Sequence, residues 1–190
     1  MSHRLLATGI AIALASVTLT ANIVVPAEFR DVVTSATVIV RGRVTDVRSV
    51  IAPDRTISSF ATIAVESVLK GDAPNLAIVK LPGGEAGGVR VVRVGAPTFK
   101  VGDRAVFLLK PGADNFLRPV GLSMGVYRVR IDPATGAETI AAPIVAGRTA
   151  TAGQRVVRGD VRRRPMSVSE FESLVQMVSL GRAVRRGIRR

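Results

Sequence analysis

Apolar and polar positions alternate through the middle of the chain. From Thr37 to Val47 (TVIVRGRVTDV), Val38, Val40, Gly42 and Val44 share one face and Arg41, Arg43 and Thr45 the other, the period of a half-buried strand. Gly42 within that run predicts a bulge or sharp coil. In a second strand Ala61, Ile63, Val65 and Leu69 alternate with Thr62, Ala64 and Glu66, and Lys70-Gly71-Asp72-Ala73-Pro74 stops it. Leu76–Leu81 reads as a third strand and Val91–Val94 as a further short one. Ala105–Leu109 does not alternate, which predicts a central strand buried on both faces. Phe116–Gly121 and Gly125–Ile131 follow, with Asp132–Gly136 turning into Glu138–Ile140.

Helical spacing appears only at the flanks. Behind Pro26, Phe29, Val32, Val33 and Ala36 recur at i, i+3, i+4 and i+7, predicting a short N-terminal helix. Ser167 and Glu170 make a capping box ahead of the apolar face Phe171, Leu174, Val175 and Val178, and Gly181 is the expected stop.

The first residues follow another pattern. Met1–Arg4 is short and positive, Leu5–Ala21 is apolar with small residues and Thr, and no charge intervenes before Glu28. This is the n-region and h-region of a secretory signal, which predicts a secreted or periplasmic bacterial protein. Cleavage after Ala21 or Ala27 keeps a full h-region, and Ala21 is the site chosen; the alternative is an uncleaved membrane anchor over Leu5–Val25. The expected organisation is a signal peptide over 1–21, a β domain with its N-terminal helix over 22–140, a linker or extended segment over 141–166, an amphipathic helix over 167–181 and a basic tail over 182–190.

Composition narrows the chemistry. Aromatics are 4% of residues, so the apolar mass is aliphatic and favours sheet packing. The net charge is +13, concentrated in the Arg-rich C-terminal part, which suits anionic polymer or a membrane surface. The chain has no Cys, and its one His is His3 inside the signal segment. The thiolate nucleophile, the usual general base near neutral pH and the commonest transition-metal ligands are thus missing from the mature chain. Asp46, Asp54, Asp72, Glu85, Asp103 and Asp114 sit singly, mostly in turns, and no Ser-x-x-Lys occurs. No catalytic residue, cofactor or metal is expected.

Two features are candidates for binding. The loop Pro82–Gly88 (PGGEAGG) offers Gly83, Gly84, Glu85, Gly87 and Gly88; Val89-Arg90 follows where a phosphate-binding loop requires Lys-Ser/Thr, so that chemistry fails. It reads either as a flexible turn or as a ligand loop with Glu85 as its sole carboxylate. Arg41, Arg43, Arg128 and Arg130 are a candidate basic surface, but Phe60, Phe99, Phe107, Phe116 and Tyr127 are mostly expected in the core, which leaves few rings to stack bases.

The ordered series VIVRGRV (Val38–Val44), VLKG (Val68–Gly71), LPGGEAGG (Leu81–Gly88), GAPTFKVGDRAVFLL (Gly95–Leu109) and GLSMGVYRV (Gly121–Val129) resembles a family of uncharacterised exported bacterial proteins. More distantly it is similar to netrin modules and tissue inhibitors of metalloproteinases. That resemblance implies a small OB-like barrel, five- to six-stranded and partly open, in a mostly β protein with an N-terminal and a C-terminal helix. Those inhibitors place an N-terminal Cys on the protease zinc; with no Cys here, no active residue carries over. The expected function is an exported, non-enzymatic binding or accessory domain of the cell envelope, with an exported protein such as a protease, or another envelope component, as partner. The alternative is a basic barrel holding nucleic acid or anionic envelope polymer through its Arg residues.

Overall fold

In a computed structural model of the chain, residues 29–141 and 165–187 are described, with side chains as far as Leu180. The expected signal peptide, most of the expected linker and the end of the basic tail lie outside the described residues. The chain starts with α1 (Phe29–Ser35), then β1 (Val38–Ile51), β2 (Ile57–Lys70) and β3 (Leu76–Pro82). A small hairpin of β4 (Gly84–Ala86) and β5 (Val89–Val91) precedes β6 (Arg104–Pro111) and β7 (Leu117–Pro119). After a 3-10 turn at Leu122–Gly125 come β8 (Val126–Ile131), β9 (Glu138–Ala141), β10 (Met166–Ser167) and α2 (Val168–Gly187).

Strands pair in the order β1-β2-β3-β7-β6, and antiparallel pairing of β6 with β1 closes a five-stranded barrel. Its narrowest seam is the parallel pair Val79–Leu117 between β3 and β7. β8, β9 and β10 extend the sheet beyond β6. To serve two neighbours around so tight a barrel, β1 must coil, and its register with β2 shifts at Ile39/Val40, Arg41/Gly42 and Val44/Asp46. Gly42 lies at one of these shifts; a Cβ there would stand 2.5 Å from the Ala64 carbonyl oxygen.

β6 separates two cores, as its unbroken apolar run predicts. Ala105, Phe107 and Leu109 point into the barrel with Val40, Val44, Ile63 and Val79, while Val106 and Leu108 point outward to the helices. Phe29 of α1, Tyr127 of β8 and Phe171 of α2 knit that outer core, with ring centroids 4.8–5.8 Å apart. Lys70 holds α1 in place: its ammonium donates to the Val33 and Ala36 carbonyls (2.7 and 2.5 Å) at the helix C-terminus. Gly71, with φ +70°, passes so close to Thr37 that a Cβ would meet its carbonyl oxygen at 2.3 Å. The VLKG string is therefore a structural clasp.

Two expectations are corrected. The strand anticipated over Val91–Val94 lies instead at Val89–Val91, because it pairs with Gly84–Ala86 and ends where that partner ends. The helix expected to stop at Gly181 continues to Gly187. A single internal glycine costs about 1 kcal/mol, and the Ala, Val and Arg residues that follow support helix well enough to carry it through.

Candidate binding site

The glycine-rich loop is an ordered hairpin fastened to the barrel. Ser49 and Ser59 face each other across β1 and β2, their hydroxyls 2.9 Å apart. Ser59 Oγ donates to the Gly83 carbonyl at 2.8 Å. That uses its one proton, so Ser49 donates to Ser59, and Ser49 Oγ accepts the Glu85 N–H at 3.3 Å. Gly84, at φ +138°, lies against this relay, and a Cβ on it would stand 2.2 Å from Ser59 Oγ and 2.4 Å from Ser49 Oγ. Gly87 and Gly88 (φ +58° and +75°) form the two-residue turn between β4 and β5, a geometry that needs positive φ at both positions. The first glycine pair thus seats the hairpin, and the second turns it.

The return to β6 is anchored as firmly. Phe99 enters the barrel core and meets Phe107 edge to face at 5.5 Å. The Arg128 guanidinium lies 5.6 Å from the Phe99 ring centroid and donates to Asp103 Oδ2 (2.8 Å) and the Thr98 carbonyl. The Gly102 N–H donates to the Val44 carbonyl and the Val44 N–H to the Asp103 carbonyl, both at 2.8 Å.

Between hairpin and return segment lies a pocket of about 300 Å³. Val47, Leu81 and Phe99 supply its apolar floor, and the exposed Glu85, Arg90 and Arg93 stand at its rim. Glu85 and Arg90 are cross-strand neighbours, yet neither they nor Arg93 form an ion pair among the described residues. Val92, in the pocket lining, is 75% exposed, and Val89 and Val94 on either side of it in the chain are 54 and 80% exposed. Ile51, 43% exposed, lies beneath the Gly87 turn. Of the loop residues expected to bind, Gly83, Gly84 and Glu85 line the pocket, whereas Gly87 and Gly88 do not.

The candidate basic residues are distributed differently. Arg41 and Arg43 project from β1 into a cluster centred on Glu66, each 3.8 Å from it. Arg104 grips Glu66 with two hydrogen bonds (3.2 and 2.9 Å) and also binds Glu138, while Arg41 reaches Glu172 of α2 at 3.7 Å. Three Arg meet three Glu, so this surface is close to neutral. The hydrogen bond from Arg104 holds the Glu66 carboxyl below the usual carboxylate range against burial, helped by the charges of Arg104, Arg41 and Arg43. Burial pushes the Asp103 carboxyl up, but the Lys100 N–H and Arg128 outweigh it and its pKa is lowered. Arg128 is therefore also paired, and Arg130 is left exposed with no ion pair among the described residues.

A further group escaped the sequence pattern. Phe60 and Phe116 meet edge to face at 5.1 Å on the outside of the barrel, Phe116 being 38% exposed, so these two rings are not core. Lys80 Nζ lies 5.6 and 5.7 Å from their centroids and binds Asp114 at 2.7 Å. The hydrogen bond from Lys80 comes first in holding the Asp114 carboxyl down to about 2, with Arg118 adding to it.

Among the described residues no group of three or more His, Cys, Asp or Glu is placed to hold a metal ion, and no helix is long and apolar enough to cross a membrane. Among known proteins, no family model and no curated relative matches this chain.

Proposed function

We propose that this chain is an exported, non-enzymatic binding module of the bacterial cell envelope, and that it docks an exported protein on the hairpin end of its barrel. The observation that carries this reading is the exposed Val92 in the pocket lining beside Arg90 and Arg93, with Val89 and Val94 also exposed in the same short segment. An apolar patch with a charged rim, high in arginine, is the usual anatomy of a protein interface. The rest of the molecule supports this assignment. The outer face of β6 is covered by the chain's own helices, and Arg41, Arg43 and Arg128 already have carboxylate partners, which weakens the nucleic-acid or polymer reading. Glu66, Asp103 and Asp114 are all held ionised well below neutral pH, so none is tuned as a proton donor or acceptor there.

The test is a photo-crosslinking residue at position 92, expressed in the host, with one at the also exposed Ile131 as control. The expected result is an adduct with one exported protein from position 92 alone. The same adducts from both positions, or none from 92, would refute the proposal.

A further inference from the structure

We infer that the pocket beneath the β4–β5 hairpin receives an aliphatic side chain flanked by a carboxylate on a peptide segment of the partner. This rests on the binding-module reading and gives it a recognition rule. Val47, Leu81 and Phe99 give the lining an uncharged apolar part beside Ser59 and Thr98, which favours an aliphatic occupant there. About 300 Å³ is the small end of ligand pockets, suited to one or two aliphatic side chains rather than to a cofactor. The rim then fixes the polarity of what surrounds that anchor. Arg90 and Arg93 both stand over the pocket without an ion pair among the described residues, and an arginine fork matches a carboxylate. Glu85 lines the same rim and repels an anion placed on the β4 side, which directs the partner's carboxylate toward Arg93. Val92 and Val94, far more exposed than a folded domain needs, extend apolar contact beyond the anchor.

The pocket is also pre-formed. The Ser49–Ser59–Gly83 relay fixes one wall, and Phe99 with Arg128 fixes the other, so a partner need not order the loop on arrival. Because the anion is held at an exposed rim, its contribution is sensitive to salt, whereas the apolar anchor is not.

The experiment uses the full chain and an array of random hexapeptides, immobilised by their N-termini with free C-termini, followed by fluorescence anisotropy on the peptides retained. We expect retained peptides to carry Val, Ile or Leu beside Asp, Glu or the free C-terminus. Affinity should fall about tenfold in the double variant R90E/R93E, which alters only exposed side chains and whose unfolding midpoint serves as the folding control. If amidating the C-terminus causes the same loss, the carboxylate is terminal; if Glu→Gln in the peptide causes it, the carboxylate is a side chain. Either result supports the inference. It is overturned if no peptide is retained, if retained peptides are basic or lack a carboxylate dependence, or if R90E/R93E binds as well as the parent. The position-92 crosslink separates the two failures. An adduct that persists while the carboxylate rule fails leaves the binding module standing and removes only this inference.

Discussion

Gly84→Ala is the sharpest test of the way the hairpin is fastened. The new Cβ would overlap both Ser59 Oγ and Ser49 Oγ, at 2.2 and 2.4 Å. The hydroxyls can swing aside, but doing so breaks the relay from the Glu85 N–H through Ser49 and Ser59 to the Gly83 carbonyl. The backbone adds its own penalty, because φ +138° is open to glycine and strained for alanine. Strain of about 1–3 kcal/mol and about 1 kcal/mol net for each of the three hydrogen bonds lost together place the variant about 4–6 kcal/mol below the parent. Gly88→Ala is the matched control. Its φ is +75° with no atom within 4 Å of the new Cβ, so it carries backbone strain alone, about 1 kcal/mol. Urea denaturation of both variants, with amide hydrogen exchange at Gly83 and Glu85, measures the difference. If the two alanines destabilise equally, or if exchange at Glu85 is unchanged in Gly84→Ala, the hydroxyl relay does not hold the hairpin and the reasoning fails.

Lys70→Met keeps the length of the side chain and removes both hydrogen bonds to the end of α1. A loss of about 1–2 kcal/mol in chemical denaturation is expected; unchanged stability would show that packing of Phe29 and Val33 alone seats the helix. Glu66 gives a pH test. Its folded carboxyl is depressed, chiefly by Arg104, so its stabilisation is present above the unfolded carboxylate range and disappears as pH falls through the folded value. Glu66→Gln should therefore be less stable than the parent by about 1 kcal/mol near neutral pH, a modest figure because the cluster is partly exposed. The gap should narrow as pH falls below the ordinary carboxylate range and through the depressed folded value, and a gap that stays constant on acidification would remove the charge cluster from the account.

Local pattern disclosed what local physics decides. The unbroken run Ala105–Leu109 announced a strand with apolar neighbours on both sides, and the structure supplies them as the barrel interior and the helix layer. The helical spacing of Phe29, Val32 and Val33 placed α1, and Ser167 caps the Glu170 N–H at 3.2 Å as its spacing with Glu170 suggests. What stayed hidden depends on partners distant in the chain. Alternation put Arg41 and Arg43 on an outer face, but only the closed topology brings Glu66, Glu138 and Glu172 to the same place. Phe60 and Phe116 likewise looked like core residues because nothing in the sequence says that they meet outside the barrel. The two glycine pairs were visible only as flexibility. Gly87-Gly88 satisfies the two-residue hairpin rule and could have been read as a turn, whereas Gly83-Gly84 owes its geometry to two serines on other strands.

That dependence bears on function. The contacts that hold the hairpin are the walls of the pocket, since Ser59, Gly83 and Gly84 belong to both. Stability and recognition at this end of the barrel are therefore coupled on one side and separable on the other. Gly84→Ala should loosen the hairpin and blunt a shape-dependent anchor together, because the same wall moves. Arg90 and Arg93 make no ion pair among the described residues, so reversing their charges should change recognition and leave the unfolding midpoint where it is. A surface built to support the barrel would show the opposite behaviour, with its charged residues engaged internally as Arg41, Arg104 and Arg128 are. The contrast between the neutralised cluster under α2 and the unpaired rim of the pocket is thus a further physical reason to place the proposed partner at the hairpin end.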